Sequence, residues 1–496
     1  MKGATSFAVR PPTPLRRGAR VRQVAGTPTG AEGSLRIIRD PLRVALCVTT
    51  ILTVSRVHQH YQFLAQIRPV LVFVLVAAAY ACLNPRSLSH ANVLALWPMR
   101  LVAILGVLAC GSAVFGISLG ATASFILDSY SKTLIYAFLV AVSIRHVRDL
   151  YTFVWAYVIS CAILVFFSLF VFGITQSAGS YVSRLDHLHT YDSNDLGVVL
   201  IIGLALTLLL LGVERGKQRL FLLLNLVGIA AAIARSGSRG GFIGLVVVGV
   251  AALVLVNNVS LIARLSVVVA AALALMLGSS PGYWKQMGTV LEPKEDYNYS
   301  SRDGRKQLVK RGLGYMSAYP VFGLGINNFP RAECTISPKI ETTDRSGPIR
   351  CTAAHNSYVQ AGAELGVPGL ITWGSLVIGG IVAMLRLRRQ LPQSWRRGRD
   401  AERFMYGATT FFPLAMIGFA VTSFFVSFAW MDPIYLMAAF ISGWYVALRV
   451  QIARPPGNQA IGLAAALGLI RKTTPGWRAS QSTRWVGVVR PVAASE

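Results

Sequence analysis

The sequence predicts an all-α polytopic membrane protein, on three observations. Hydrophobic residues make up 54% of the chain and charged residues only 14%, against about 25% charged in soluble domains. Runs such as 152–173 and 196–213 reach the ~20 apolar residues that a helix needs to cross ~30 Å of hydrocarbon. No stretch alternates apolar and polar residues over strand-length windows, which argues against a transmembrane β-barrel.

In chain order, residues 1–40 are rich in Pro, Gly and Arg and read as a disordered basic cytoplasmic tail. They are too long and too polar for a signal peptide. Nine spans are expected within 41–280: 42–54, 69–83, 101–119, 133–144, 152–173, 196–213, 220–234, 241–256 and 265–279. The first is the weakest, shorter than a full crossing. A large extracytoplasmic loop follows at 281–364, and its polar core, 301–370, is the interval around which the chain is organised. Three further spans, 366–385, 405–430 and 433–448, occupy 365–449, giving about twelve transmembrane helices. A second basic cytoplasmic tail, 450–496, carries an apolar stretch at 461–470 that is too short to span and reads as a surface helix.

The net charge is +28, from 48 Lys and Arg against 20 Asp and Glu. In a soluble protein that excess would suggest nucleic acid. Here the spans leave no soluble domain to carry such a function, and no nucleic-acid partner is expected. The basic residues cluster at span ends and in the tails, as the positive-inside rule requires. The segment 386–403, RLRRQLPQSWRRGRDAER, is the strongest orientation signal. It places itself and both tails in the cytoplasm and the central loop outside.

Three polar clusters then share the outer side: 180–195 with Arg184, the turn 235–244 with Arg239, and the central loop with Arg302, Arg305 and His355. Arg239 is followed by two glycines that let a large anion approach the backbone, and its guanidinium suits bidentate phosphate binding. The plainer reading is a snorkelling interfacial arginine. Arg305 falls in the first turn of a helix expected over 305–319, ended by Pro320 and capped by Asp303. Arginine beside a helix N-terminus favours an anion, although a solvated basic helix face accounts for the same residues. His355 has an ordinary pKa near 6.5 and suits a general base at neutral pH, while an interfacial histidine is more often structural. His187 and His189 lie near Asp186 and Asp192, but no ligand set with familiar metal spacing is present, so no metal or other cofactor is expected.

Of six cysteines, Cys47, Cys82, Cys110 and Cys161 lie in or at spans and read as small apolar residues. Cys334 and Cys351 both lie in the central loop, where a disulfide is allowed if that loop is outside the cytoplasm.

Four segments in order resemble the O-antigen ligase / O-antigen polymerase superfamily of bacterial envelope proteins. They are GSRGGFIGL at 237–245, GR at 304–305, PVFGLGINNF from Pro320, and HNSYVQAGAELGVPGL at 355–370. YDSNDLG at 191–197 resembles the family's polar approach to a span. Val309 stands where many members carry Trp. The resemblance implies a GT-C-like fold and a metal-independent, inverting glycosyltransferase of the bacterial inner membrane. Its donor would be a glycan on undecaprenyl pyrophosphate, taken at the periplasmic face. It implies catalytic roles for Arg239, Arg305 and His355, with Arg184, Arg302, Asn356, Tyr358 and Gln360 lining the substrate site. Arg302 and Arg305 both stand close to the essential arginine position. The acceptor is lipid A core in a ligase, another glycan in a polymerase, or a protein in an O-oligosaccharyltransferase. Of the other classes weighed, a secondary transporter places its polar groups near the bilayer midplane, whereas the candidates here lie outside. A purely structural assembly role is the remaining alternative.

Overall fold

The computed structural model describes residues 40–89, 91–176, 183–186, 190–256, 260–279, 282–290, 304–340 and 350–453, with Leu35 and Glu292. The basic tails, the 461–470 stretch, His187, His189, Arg302 and Asp303 lie outside the described residues.

The protein is a polytopic helical bundle. Ten helices are long and apolar enough to cross a membrane: Gln62–Leu83, Trp97–Phe115, Leu119–Ser143, Val147–Val171, Ser193–Leu211, Gly216–Ser236, Leu261–Gly278, Ser357–Gln390, Asp400–Phe425 and Asp432–Ile452. Two shorter apolar helices, Pro41–Ser55 and Arg239–Leu255, join them. Helix is the outcome that hydrocarbon imposes on such runs, because every backbone N–H and C=O must be satisfied within the segment. Ser193–Leu211, Asp400–Phe425 and Asp432–Ile452 form the buried interior, while Gln62–Leu83 and Leu261–Gly278 lie at the periphery.

The expected spans each fall on one of these helices, with several boundaries displaced and the largest shift at the start of the fourth. The apolar run 101–119 hides a turn after Phe115, where Ile117 N donates to Leu324 O at 2.9 Å. The next crossing therefore starts at Leu119 rather than near residue 133. Hydropathy cannot register a turn whose residues are themselves apolar. A second feature without sequence signal is a two-stranded antiparallel ribbon, in which Ile174–Gln176 pairs with Ser183–Leu185 and carries Arg184.

The short first helix is held at both ends by ions. At one end Arg43, fully buried, pairs with Asp149 and Asp40 at 2.6 Å each and donates to the Ser87 and Ser143 carbonyls. At the other, Arg56 takes a left-handed backbone (φ 53°) and pairs with Asp432 at 2.9 Å. Thr133 Oγ1 donates to the same carboxylate at 2.6 Å. These links compensate for the little apolar area that a 15-residue helix buries.

The central loop is fastened to the bundle by a break in Ser357–Gln390. Gly366 leaves the helical region (φ 69°) and Pro368 follows it. Pro368 has no N–H for the Glu364 carbonyl, and Val367 N donates to Pro320 O at 2.8 Å instead of to Ala363. The two carbonyls left over accept from the loop, Ala363 O from Leu324 N at 2.8 Å and Glu364 O from Gly325 N at 3.1 Å. The Glu364 side chain, fully buried, accepts from Asn327 N (2.7 Å), Phe329 N (3.1 Å) and Trp430 Nε1 (2.5 Å). Thus the FGLGINNF and LGVPG segments are two halves of one joint. Further out, the helix Arg305–Ala318 carries Arg311, bidentate on buried Glu333, which also accepts from Tyr315 and pairs with Lys339 at 3.0 Å. Cys334 and Cys351 form a disulfide with Cα atoms 5.1 Å apart, closing the loop beside that cluster.

Gly366→Ala places a Cβ about 2.5 Å from Pro320 O in a backbone region that L residues avoid. We expect it to cost about 1–3 kcal/mol, read as a lowered melting temperature of the purified protein. Melting unchanged from wild type would show that the joint tolerates a side chain.

Candidate functional site

The site is assembled where the start of Ser357–Gln390 meets the turn after Asp400–Phe425. Asn356 caps the first of these helices, its Oδ1 accepting from Tyr358 N and Val359 N at 3.0 Å each. Ser357 Oγ donates to Val426 O and accepts from Phe428 N, both at 2.9 Å. Gln360 Oε1 accepts from Ala429 N at 3.1 Å. Tyr358 stacks on Phe424 and donates to Ala420 O at 3.0 Å. Asn356, Tyr358 and Gln360, expected to line a substrate site, here build its wall with the polar atoms named. His355, immediately before the cap, takes a left-handed backbone (φ 47°), and its N–H donates to Ser427 Oγ at 2.8 Å. A strained conformation over-determined by its neighbours fixes where the imidazole starts from.

Arg239 is the first residue of Arg239–Leu255. The cap is Ser238, whose Oγ accepts from Gly241 N at 3.0 Å and donates to Asn194 Oδ1 at 2.8 Å. That second bond ties the start of this helix to the start of Ser193–Leu211. Arg239 Nη1 donates to Thr289 Oγ1 at 2.9 Å. Gly240 lies flat against Phe425: a Cβ there would come within 2.9 Å of the Phe425 Cβ. On the same Phe425 ring lies the Arg305 guanidinium, 5.5 Å from the centroid. One phenylalanine therefore touches both the Arg239–Gly240 turn and Arg305. Arg305 opens its own helix, with Gly304 rather than Asp303 at the cap position and no side-chain cap. The first-turn N–H groups there add to the positive field.

The electrostatics of His355 show which other groups are near. Burial holds its pKa below the ordinary value, and the Arg305 and Arg184 charges push the same way. Asp192 opposes them. Asp192 is exposed, and its Oδ1 caps Ser193–Leu211 by accepting from Asn194 N and Asp195 N at 2.7 Å each. The Tyr191–Asp192 turn is pinned from behind. Tyr191 OH donates to the Val54 carbonyl at 3.2 Å, and Arg56 lies over its ring at 5.6 Å.

The structure thus brings Arg184, Arg305 and His355 together, while Arg239 starts a helix whose next residue, Gly240, packs on Phe425. Arg302 lies outside the described residues. Sequence reasoning did not assign Phe425 or Ser427, and it weighed Asp192 only as a metal ligand. A phenylalanine at the end of an apolar run and a serine after it carry no signal. Asp192 stands in the quoted YDSNDLG, so its position was visible and its direction was not. Among the described residues no three His, Cys, Asp or Glu side chains group as metal ligands.

The fold and this arginine-lined helix junction define a multi-pass membrane protein with an anion-attracting site at one end of its bundle. Residues 224–374 match the family model described as O-antigen ligase, so that segment carries the family's domain. No curated protein matches the chain. The matched segment contains Arg239, Arg305 and His355, while Arg184, Asp192 and Phe425 are supplied from outside it.

Phe425→Ala removes the ring under Arg305. Cation–π contacts are worth about 0.5–2 kcal/mol, so we expect the rate of glycan transfer to fall roughly three- to thirtyfold, and Phe425→Tyr to restore it. Wild-type rates in Phe425→Ala would remove the ring from the site.

Proposed function

We propose that the protein transfers a glycan from undecaprenyl pyrophosphate to a hydroxyl of lipid A core, at the outer face of the bacterial inner membrane. The observation that carries this is Phe425, which packs on Gly240 beside Arg239 and also meets the Arg305 guanidinium, with His355 pushed toward its neutral form by burial and by the Arg305 charge. Arg305 and Arg239 bind the pyrophosphate, and Arg184 adds to the field. Charge grows on the bridging phosphate oxygen as the bond to the anomeric carbon breaks. Fixed guanidinium groups at a low-dielectric membrane edge stabilise that charge without reorganising. The acceptor oxygen attacks the same carbon from the opposite face, its proton passes to His355 Nε2 or Nδ1, and undecaprenyl pyrophosphate leaves. One displacement inverts the anomeric centre. The two arginines supply the positive charge for which other transferases use a divalent ion, so the reaction is proposed to run without metal.

Orientation rests on one helix. Ser357–Gln390 begins beside His355 and ends with Arg388 and Arg389, which lead into the basic segment 396–403. The positive-inside rule puts that end in the cytoplasm, and so puts His355 outside. The polar groups lie at a helix junction at one end of the bundle, which favours transfer at a surface over transport through the midplane. The matched family model is described as O-antigen ligase, so the ligase acceptor is the reading set against repeat-unit polymerisation and protein glycosylation in the assay below.

The assay is transfer from a purified lipid-linked glycan, offered with lipid A core, with and without EDTA. A ligase attaches glycan to core, whereas a polymerase lengthens the lipid-linked chain. Arg305→Lys keeps the charge and loses the planar fork, and should slow transfer by about a hundredfold. His355→Ala should retain donor binding and stop transfer. Full activity in both variants would overturn the site, and activity lost in EDTA and restored by metal would overturn the metal-free chemistry.

The pH profile tests the histidine separately. Because its pKa is lowered, the acid limb of kcat/KM should lie below about pH 6.5. Asp192→Asn keeps the helix cap but removes the one raising charge, so the limb should move further down. Arg184→Gln removes a lowering charge and should move it up. Limbs that do not move would dissociate His355 from proton transfer.

For orientation, Ser317 is exposed on the Arg305–Ala318 helix. Ser317→Cys should react with a membrane-impermeant maleimide in spheroplasts, and labelling only after lysis would reverse the topology.

A further inference from the structure

Between Val147–Val171 and Gly216–Ser236 lies a groove of about 640 Å³ that runs from Lys217, at the end of the bundle opposite the arginine–histidine site, along the first helix to Phe167. Trp155, Ile159, Ile163 and Phe166 line one side and Phe221 the other, with Lys217 and Gln218 at its mouth. Val165 packs against Gly228 between the two helices, and Lys217 stands at the groove's other end. Trp155 stacks on Phe221 at 6.1 Å and forms the apolar floor.

Two observations say what fits. The lining runs from residue 155 to 167 along one helix, roughly 18 Å at 1.5 Å per residue. That is close to one leaflet's share, about 15 Å, of the hydrocarbon core. The mouth is cationic: Arg215, Lys217 and Arg219 are all exposed within five residues. The first turn of Gly216–Ser236 has no side-chain cap, so its N–H groups also favour an anion. The nearest acid in sequence, Glu214, is turned inward and accepts the Tyr151 hydroxyl.

We propose that this groove is a binding site for an anionic phospholipid of the leaflet opposite the arginine–histidine site, with one acyl chain along Trp155–Phe166 and the phosphate at Lys217. Basic residues at a helix end beside an apolar cleft are the arrangement that captures anionic headgroups at a cytoplasmic surface. The lipid joins the two helices that flank buried Ser193–Leu211, and one of these ends at Ser236, two residues before the Ser238 cap of Arg239. Occupancy therefore braces the scaffold of the site without touching it.

The test is native mass spectrometry of the detergent-purified full chain, with phosphatidylglycerol or phosphatidylethanolamine of identical acyl chains. Wild type should retain phosphatidylglycerol preferentially. Lys217→Glu, a change at an exposed position, should cut that retention by at least about fivefold and leave phosphatidylethanolamine retention unchanged. Ile159→Trp fills the groove and should lower retention of both lipids, with folding checked by melting. Equal retention of the two lipids by wild type would overturn the proposal as a non-selective annulus. So would phosphatidylglycerol retention that survives Lys217→Glu. A dimer abolished by Ile159→Trp would overturn it in favour of a second copy of this chain in the groove.

Discussion

The break at Gly366 is the constraint on which the outer end of the molecule depends. A continuous helix from Ser357 to Gln390 would consume the Ala363 carbonyl within itself, while Pro368 leaves that of Glu364 open. Broken, it offers both to the central loop and turns a buried carboxylate toward three further N–H donors. One of those donors, Trp430, belongs to the segment that also receives Ser357 and Gln360. The loop with Arg305, the histidine-bearing helix start and the Phe425 turn are thereby referred to one point. Irregular backbone at a membrane edge is tolerated only where protein satisfies it, and here the satisfaction itself sets the geometry of the site.

The same logic separates two uses of arginine. Arg43, Arg56 and Arg311 are each bound to a buried or half-buried carboxylate and hold elements together. Breaking such pairs leaves a stranded charge, which is why they serve as fixed points. Arg305 also meets the face of an aromatic ring, a contact that draws on the charge of the guanidinium rather than on a carboxylate. Sequence alone does not separate these roles: Arg305 and Arg311 lie six residues apart on one basic helix, and only the fold shows that Glu333 claims the second.

The helical frame was legible because hydrocarbon leaves one solution for long apolar runs. The first helix read as marginal for a sound reason, its length, and what rescues it, Arg43 on Asp149, is a pairing across about a hundred residues that no local pattern announces. The turn after Phe115 and the ribbon bearing Arg184 were silent for the opposite reason: they interrupt runs without changing composition. At the site, Arg239, Arg305 and His355 stood out because they fall in the segments that resemble the O-antigen ligase / O-antigen polymerase superfamily, on the side expected to be outside. The disulfide was foreseen as an option because the central loop holds just two cysteines. Phe425, Ser427 and the orientation of Asp192 come from segments brought close only by folding. The residues that the sequence did not single out are thus the ones that hold or tune the candidates that it did.

The tuning has a direction that suits the proposed chemistry. In the structure His355 is pressed toward its neutral form by burial and by Arg305 and Arg184, with Asp192 as counterweight. A pyrophosphate bound by those arginines would offset their charge where His355 senses it. The downward pressure would relax while burial and Asp192 stay in place, and the imidazole would become more basic once the donor is seated. A base that waits uncharged in the empty site and gains proton affinity when the leaving group is bound couples proton removal to donor occupancy. The coupling needs no moving part, only arginines that face the phosphate on one side and the histidine on the other.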